Sequence, residues 1–79
     1  EARRNKLVGL WAAGLLGKSG DAATDYAMTV VSADFEEAGI EDVVRKVAAD
    51  LVGKATADEV RAQMAALLPV AKAELLSEL

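Results

Sequence analysis

Leu7, Trp11 and Leu15 recur every four residues within EARRNKLVGLWAAGLLG, and Val8, Leu10 and Leu16 stand beside them. That spacing draws one wide apolar stripe along an α-helix. The stripe carries the chain's single tryptophan, which makes it the expected centre of a core. Arg3, Arg4 and Lys6 crowd the start of the same segment. A helix that is apolar toward its end and basic at its start can dock a core while leaving its cationic end for another task.

Three further segments show the same period. Gly17 is placed to end the first helix in a left-handed conformation, with Lys18 near the carbonyl dipoles and Ser19 as N-cap of the next. The second helix is predicted over Gly20 to Ala38 through Ala23, Tyr26, Ala27, Val30, Val31, Ala33 and Phe35, and Gly39 stops it. A third starts at Glu41 and Asp42, carries Val43, Val44, Val47, Ala48 and Leu51, and closes at Gly53. Arg45 and Lys46 follow Glu41 and Asp42 at a spacing of four, an order that supports exposed ion pairs worth a few tenths of a kcal/mol each.

Thr56, Ala57, Asp58 and Glu59 form a capping box, the sharpest boundary in the sequence. The fourth helix then runs through Val60, Met64, Leu67, Leu68, Ala71, Leu75 and Leu79. Pro69 lies inside it, so a kink near Leu67 and Leu68, or a break there, is expected. With short connections throughout, residues 1–79 are read as one all-α domain, a four-helix bundle.

Such a core must be thin. Hydrophobic residues are 53% of the chain, but alanine supplies much of that, beside one Trp, one Tyr and one Phe. Closely approaching helices are therefore expected, with Met28 and Met64 as gap fillers.

The same inventory excludes several kinds of chemistry. The chain has no cysteine and no histidine, so disulfides, thiolate metal sites and histidine general bases are absent. Ser19, Ser32 and Ser77 have no histidine to activate them, and catalysis is not expected. A net charge of −4 argues against nucleic acid as the main partner. No apolar run reaches the roughly 18–20 residues of a membrane span, and no secretion signal opens the chain.

Two clusters invite a functional reading. Ala12 to Ser19, AAGLLGKS, loosely matches a phosphate-binding loop, but that motif needs a preceding strand. What remains is a weak anion site at the second helix start, with Lys18, Ser19 and Arg4 as candidate nucleotide contacts. Asp34, Glu36, Glu37, Glu41 and Asp42 place five carboxylates in nine residues without EF-hand spacing. They read as a solvated acidic corner, a dock for a basic partner, or neighbours for Arg3 and Arg4.

EARRNKLVGLWAAGLLGKSG, Tyr26-Ala27 and ADFEEAGIEDVVRKVAADL together resemble the zeta subunit family, alphaproteobacterial inhibitors of the F-type ATP synthase. Ile40, where relatives carry aspartate, and Pro69 depart from its pattern. The resemblance implies a non-enzymatic regulator that binds the catalytic head and blocks ATP hydrolysis, cytoplasmic and held at the inner membrane only through the synthase. It implies weak ADP or ATP binding and no required cofactor. It also implies an inhibitory segment upstream of Glu1, with Arg3, Arg4 and Asn5 as the candidate partner contacts. The competing reading is a helical adaptor or acyl-carrier-like domain, although no serine here has the Asp-Ser-Leu setting of acyl carriers.

Overall fold

The computed structural model describes residues 2–33 and 40–78. Within them the order is α1 (Ala2–Leu15), α2 (Gly20–Ser32), α3 (Glu41–Asp50) and α4 (Ala57–Ser77). The expected run of the second helix through Phe35 to Ala38, its stop at Gly39, the acidic residues Asp34, Glu36 and Glu37, and the stripe's last member Leu79 lie outside the described residues. The all-α bundle follows the sequence patterning, with α1 packed most widely on α2, then on α4, and α3 seated mainly on α4.

Three of the helix ends have a local cause. Gly17 at φ +77 closes α1, with the Gly17 N–H donating to the Gly14 carbonyl at 3.1 Å and the Lys18 N–H to the Ala13 carbonyl at 2.9 Å. This pair of bonds is a complete Schellman motif. At the start of α4, the Glu59 N–H donates to Thr56 Oγ1 at 3.1 Å and the Thr56 N–H to Glu59 Oε1 at 3.0 Å, which is the capping box read from the sequence. Ile40 precedes α3 without a side-chain cap. Glu41 and Asp42 in its first turn supply the favourable charge instead.

Pro69 does not break α4, which runs unbroken over Ala57–Ser77. Proline strips the Ala65 carbonyl of its intrahelical donor, but Ala65 and Pro69 both face solvent, so water can take that donor's place.

The core is built from Val8 and Ala12 of α1, Val30 of α2, Val43, Val44, Val47 and Leu51 around α3, and Val60 and Met64 of α4. It is not centred on Leu7, Trp11 and Leu15. Arg4, Asn5, Val8, Gly9, Ala12 and Ala13 form the buried face of α1, while Trp11 and Leu7 are half-buried at its edge and Leu15 is 40% exposed. The reason is the closeness of α1 and α2: a Cβ on Gly9 would come within 3.2 Å of Val30 Cγ2. Helices that touch through small residues push large side chains to the flanks of the contact. Trp11 still packs against the core from there.

Two other assignments shift. Met28 is exposed rather than filling a gap, because Ala27 occupies the contact with α1. Leu75, read as part of the apolar stripe of the fourth helix, is 53% exposed.

Candidate functional site

The basic start of α1 is the natural place to look for a partner contact. Three cations in the first turns of a helix oppose its macrodipole, and α1 has no acidic residue there to compensate. The last turn of α4 has the mirror fault, since it holds no basic residue and ends in Glu78. Antiparallel packing brings the two faults together. The Arg3 guanidinium donates to Glu78 Oε2 at 2.6 Å and lies 3.6 Å from Glu74 Oε1. The Glu78 hydrogen bond, with Glu74 behind it, raises the Arg3 ionisation above its ordinary value.

Arg4 and Asn5 do something else. Both were expected at the surface, yet Arg4 is 4% exposed and Asn5 is fully buried. Arg4 Nε donates to Asn5 Oδ1 at 3.0 Å, and the Asn5 Nδ2 group has no hydrogen-bond partner among the described residues. Burial follows from the helical register, because positions 4, 5, 8, 9, 12 and 13 share the face that carries Gly9 and the alanines. Of the three expected partner contacts, only Arg3 keeps a partly exposed side chain.

The candidate nucleotide contacts are not brought together. Lys18 and Ser19 lie in the turn after α1, and Arg4 lies near the other end of that helix, roughly 20 Å away at 1.5 Å per residue. The Lys18 N–H is already committed to the Ala13 carbonyl. Ser19 is N-cap of α2 in extended geometry, but its hydroxyl makes no cap bond.

Around α3 the closest ion pairs have other partners than the expected Glu41–Arg45 and Asp42–Lys46, although the Arg45 charge still acts on Glu41. Glu41 reaches across to α4, where Arg61 Nη2 donates to its Oε1 at 2.8 Å and Arg61 Nε to its Oε2 at 3.2 Å. The Arg61 hydrogen bond holds the Glu41 carboxyl below its usual range. Arg45 pairs with the buried Asp42 three residues back, and Lys46 turns to Asp50 at 2.5 Å.

Asp50 anchors a cluster that the sequence did not disclose. Tyr26 of α2 donates its hydroxyl to Asp50 Oδ2 at 2.9 Å, and Lys46 Nζ lies 5.0 Å from the centre of the Tyr26 ring. Burial works against the Asp50 carboxylate, but hydrogen bonds from Lys46 and Tyr26 outweigh it and hold the group below its ordinary range. Burial first, then the bond to Asp50 and its charge, push the Tyr26 hydroxyl well above its ordinary value. Only a polar tip on an otherwise core-facing tyrosine hinted at this.

Among the described residues no group of three or more acidic, histidine or cysteine side chains could hold a metal ion. No described helix is long and apolar enough to cross a membrane. The described surface carries a clamped helix start, cross-helix ion pairs and partly exposed apolar side chains.

The profile of the family described as ATPase inhibitor subunit zeta matches residues 1–74. A solution NMR structure is 64% identical with a TM-score of 0.92, the match covering 99% of this chain and 92% of that one. No curated protein matches the sequence.

Proposed function

From the premise that this chain belongs to the ATPase inhibitor subunit zeta family, we propose that it binds the catalytic head of the F-type ATP synthase and restrains ATP hydrolysis without being an enzyme itself. The observation that carries this reading is the family match, which takes in α1 to α3 and most of α4 and includes the first turn of α1. The bundle supplies a firm handle. Arg3 ties the start of α1 to the end of α4, and Gly9 seats the middle of α1 on α2.

In this reading the blocking segment lies upstream of Glu1 and residues 1–79 hold the head. Weak ADP or ATP binding belongs to the turn at Lys18 and Ser19 alone, supported by the uncommitted Ser19 hydroxyl and opposed by Asp21 in the same first turn. The helical adaptor or carrier alternative gains no specific observation.

Purified catalytic head, with its ATP hydrolysis followed by a coupled assay, tests the proposal. Residues 1–79 are expected to bind the head, and a form extended upstream of Glu1 to inhibit far more strongly. No binding by either form would overturn the reading, and equal inhibition by both would move the blocking element into the bundle.

A further inference from the structure

A groove of about 480 Å³ opens beside the α1–α2 contact and is bounded by the last turns of α4. Leu7, Leu10 and Lys6 of α1, Met28 and Val31 of α2, and Glu74 and Glu78 at the end of α4 line it. Leu10 is 36% exposed and Met28 is 48% exposed, both displaced outward by the small-residue seam between the helices. A volume of this order can take one or two large side chains, and an unbranched thioether adapts to what it meets.

The rim is asymmetric in charge. On the α4 side two carboxylates share the one guanidinium of Arg3, which leaves that side net acidic. Lys6 of α1 has no ion-pair partner among the described residues and adds an unneutralised positive charge to the lining. We propose that this groove docks an amphipathic helix of the catalytic head, its apolar stripe over Leu10 and Met28, an acidic edge at Lys6 and a basic edge at Glu74 and Glu78. The groove offers two helix ridges one turn long, Leu7 with Leu10 and Met28 with Val31, which a third helix can fill by ridge-into-groove packing. The carboxylates of α4 and the ammonium on α1 favour one direction of the occupant over its reverse.

This inference rests on the proposed function and names the surface through which it acts. The test is binding of purified catalytic head, by interferometry, to the unmodified chain and to M28E, M28L, K6E and V52E. Val52 is 79% exposed and lies away from the groove, so V52E is the control. M28E and K6E are each expected to weaken binding by about tenfold or more, M28L to retain it, and V52E to match the unmodified chain. Helical circular dichroism checks that every variant is folded. If the unmodified chain binds and M28E and K6E bind equally well, the groove is not the docking site while the inhibitor reading stands. If the unmodified chain itself fails to bind, the reading beneath the inference fails. Sedimentation of the unmodified chain as a dimer that M28E dissociates would give the groove to a second copy and overturn the inference.

Discussion

A Cβ added to Gly9 would lie 2.7 Å from the Cα of Ala27, nearer than two such carbons can approach. The backbones of α1 and α2 therefore touch at this point, and the position of every larger side chain on α1 follows from it. Gly14, on the same helix, has nothing within 4 Å of where its Cβ would be. The two glycines should respond oppositely to the same change. Gly9→Ala is expected to lower stability by about 1–3 kcal/mol, because overpacking outweighs the gain in helix propensity. Gly14→Ala should raise it by about 0.5–1 kcal/mol. Denaturant midpoints of the two variants decide the matter.

Thr56→Ala removes the side-chain half of the capping box. A loss of about 1 kcal/mol is expected. Amide exchange at Glu59, whose N–H donates to Thr56 Oγ1, should quicken more than exchange at Met64 deep in α4.

Tyr26 is the only tyrosine, so its ionisation can be followed without interference. Its folded value is raised, so its contribution to stability is complete below the ordinary tyrosine value of 10.0 and is lost as the pH climbs above it. Phenolate absorbance is expected to stay flat through that pH and to rise only in step with unfolding seen by circular dichroism. Tyr26→Phe should cost about 0.5–1.5 kcal/mol at neutral pH through loss of the bond to Asp50. A phenolate signal at pH 10.0 in a still-folded protein would contradict the geometry.

Acid should act in the opposite sense. Glu41 is held below 4.5 by Arg61 and Asp50 below 3.8 by Lys46 and Tyr26, against the pull of burial. Depressed carboxylates give stability that is present above those ordinary values and is lost as pH falls through the lower folded ones. The stability difference between the unmodified chain and Arg61→Ala is therefore expected at pH 7 and should shrink toward zero below the carboxylate range. A difference that persists in acid would mean that Arg61 acts through packing of its stem rather than through its charge.

Nucleotide binding has a defined expectation as well. Titration with ATP should move the amide resonances of Ser19 to Asp21 only near millimolar concentration and leave Asn5 and its neighbours unmoved. Shifts confined to the far end of α1 would remove the turn as the site.

Helix number, order and most boundaries were legible in the chain because their causes are local. The Schellman turn at Gly17, the capping box at Thr56 and Glu59, and the apolar periods of α2 and α3 each depend on residues within a turn or two. Arg3, Arg4 and Asn5 were legible as a group but not as individuals. Which of them faces outward depends on how deeply α1 sinks against its neighbours, and that depth is set by Gly9 meeting Ala27, eighteen residues later. The Tyr26, Lys46 and Asp50 cluster escaped for the same reason, since its members come from two helices.

By itself the sequence determined four helical segments, the Gly17 turn and the Thr56 capping box, and a chain with no histidine or cysteine. Near-neighbour backbone hydrogen bonds and hydrophobic period suffice for that. Only the tertiary structure decided that Arg4 and Asn5 go inward, that Trp11 seals an edge instead of filling the centre, and that Leu10 and Met28 are left facing out. Periodicity gives each helix a preferred face, but the distance between two helix axes depends on the side chains of both, and that distance selects which members of the face are buried.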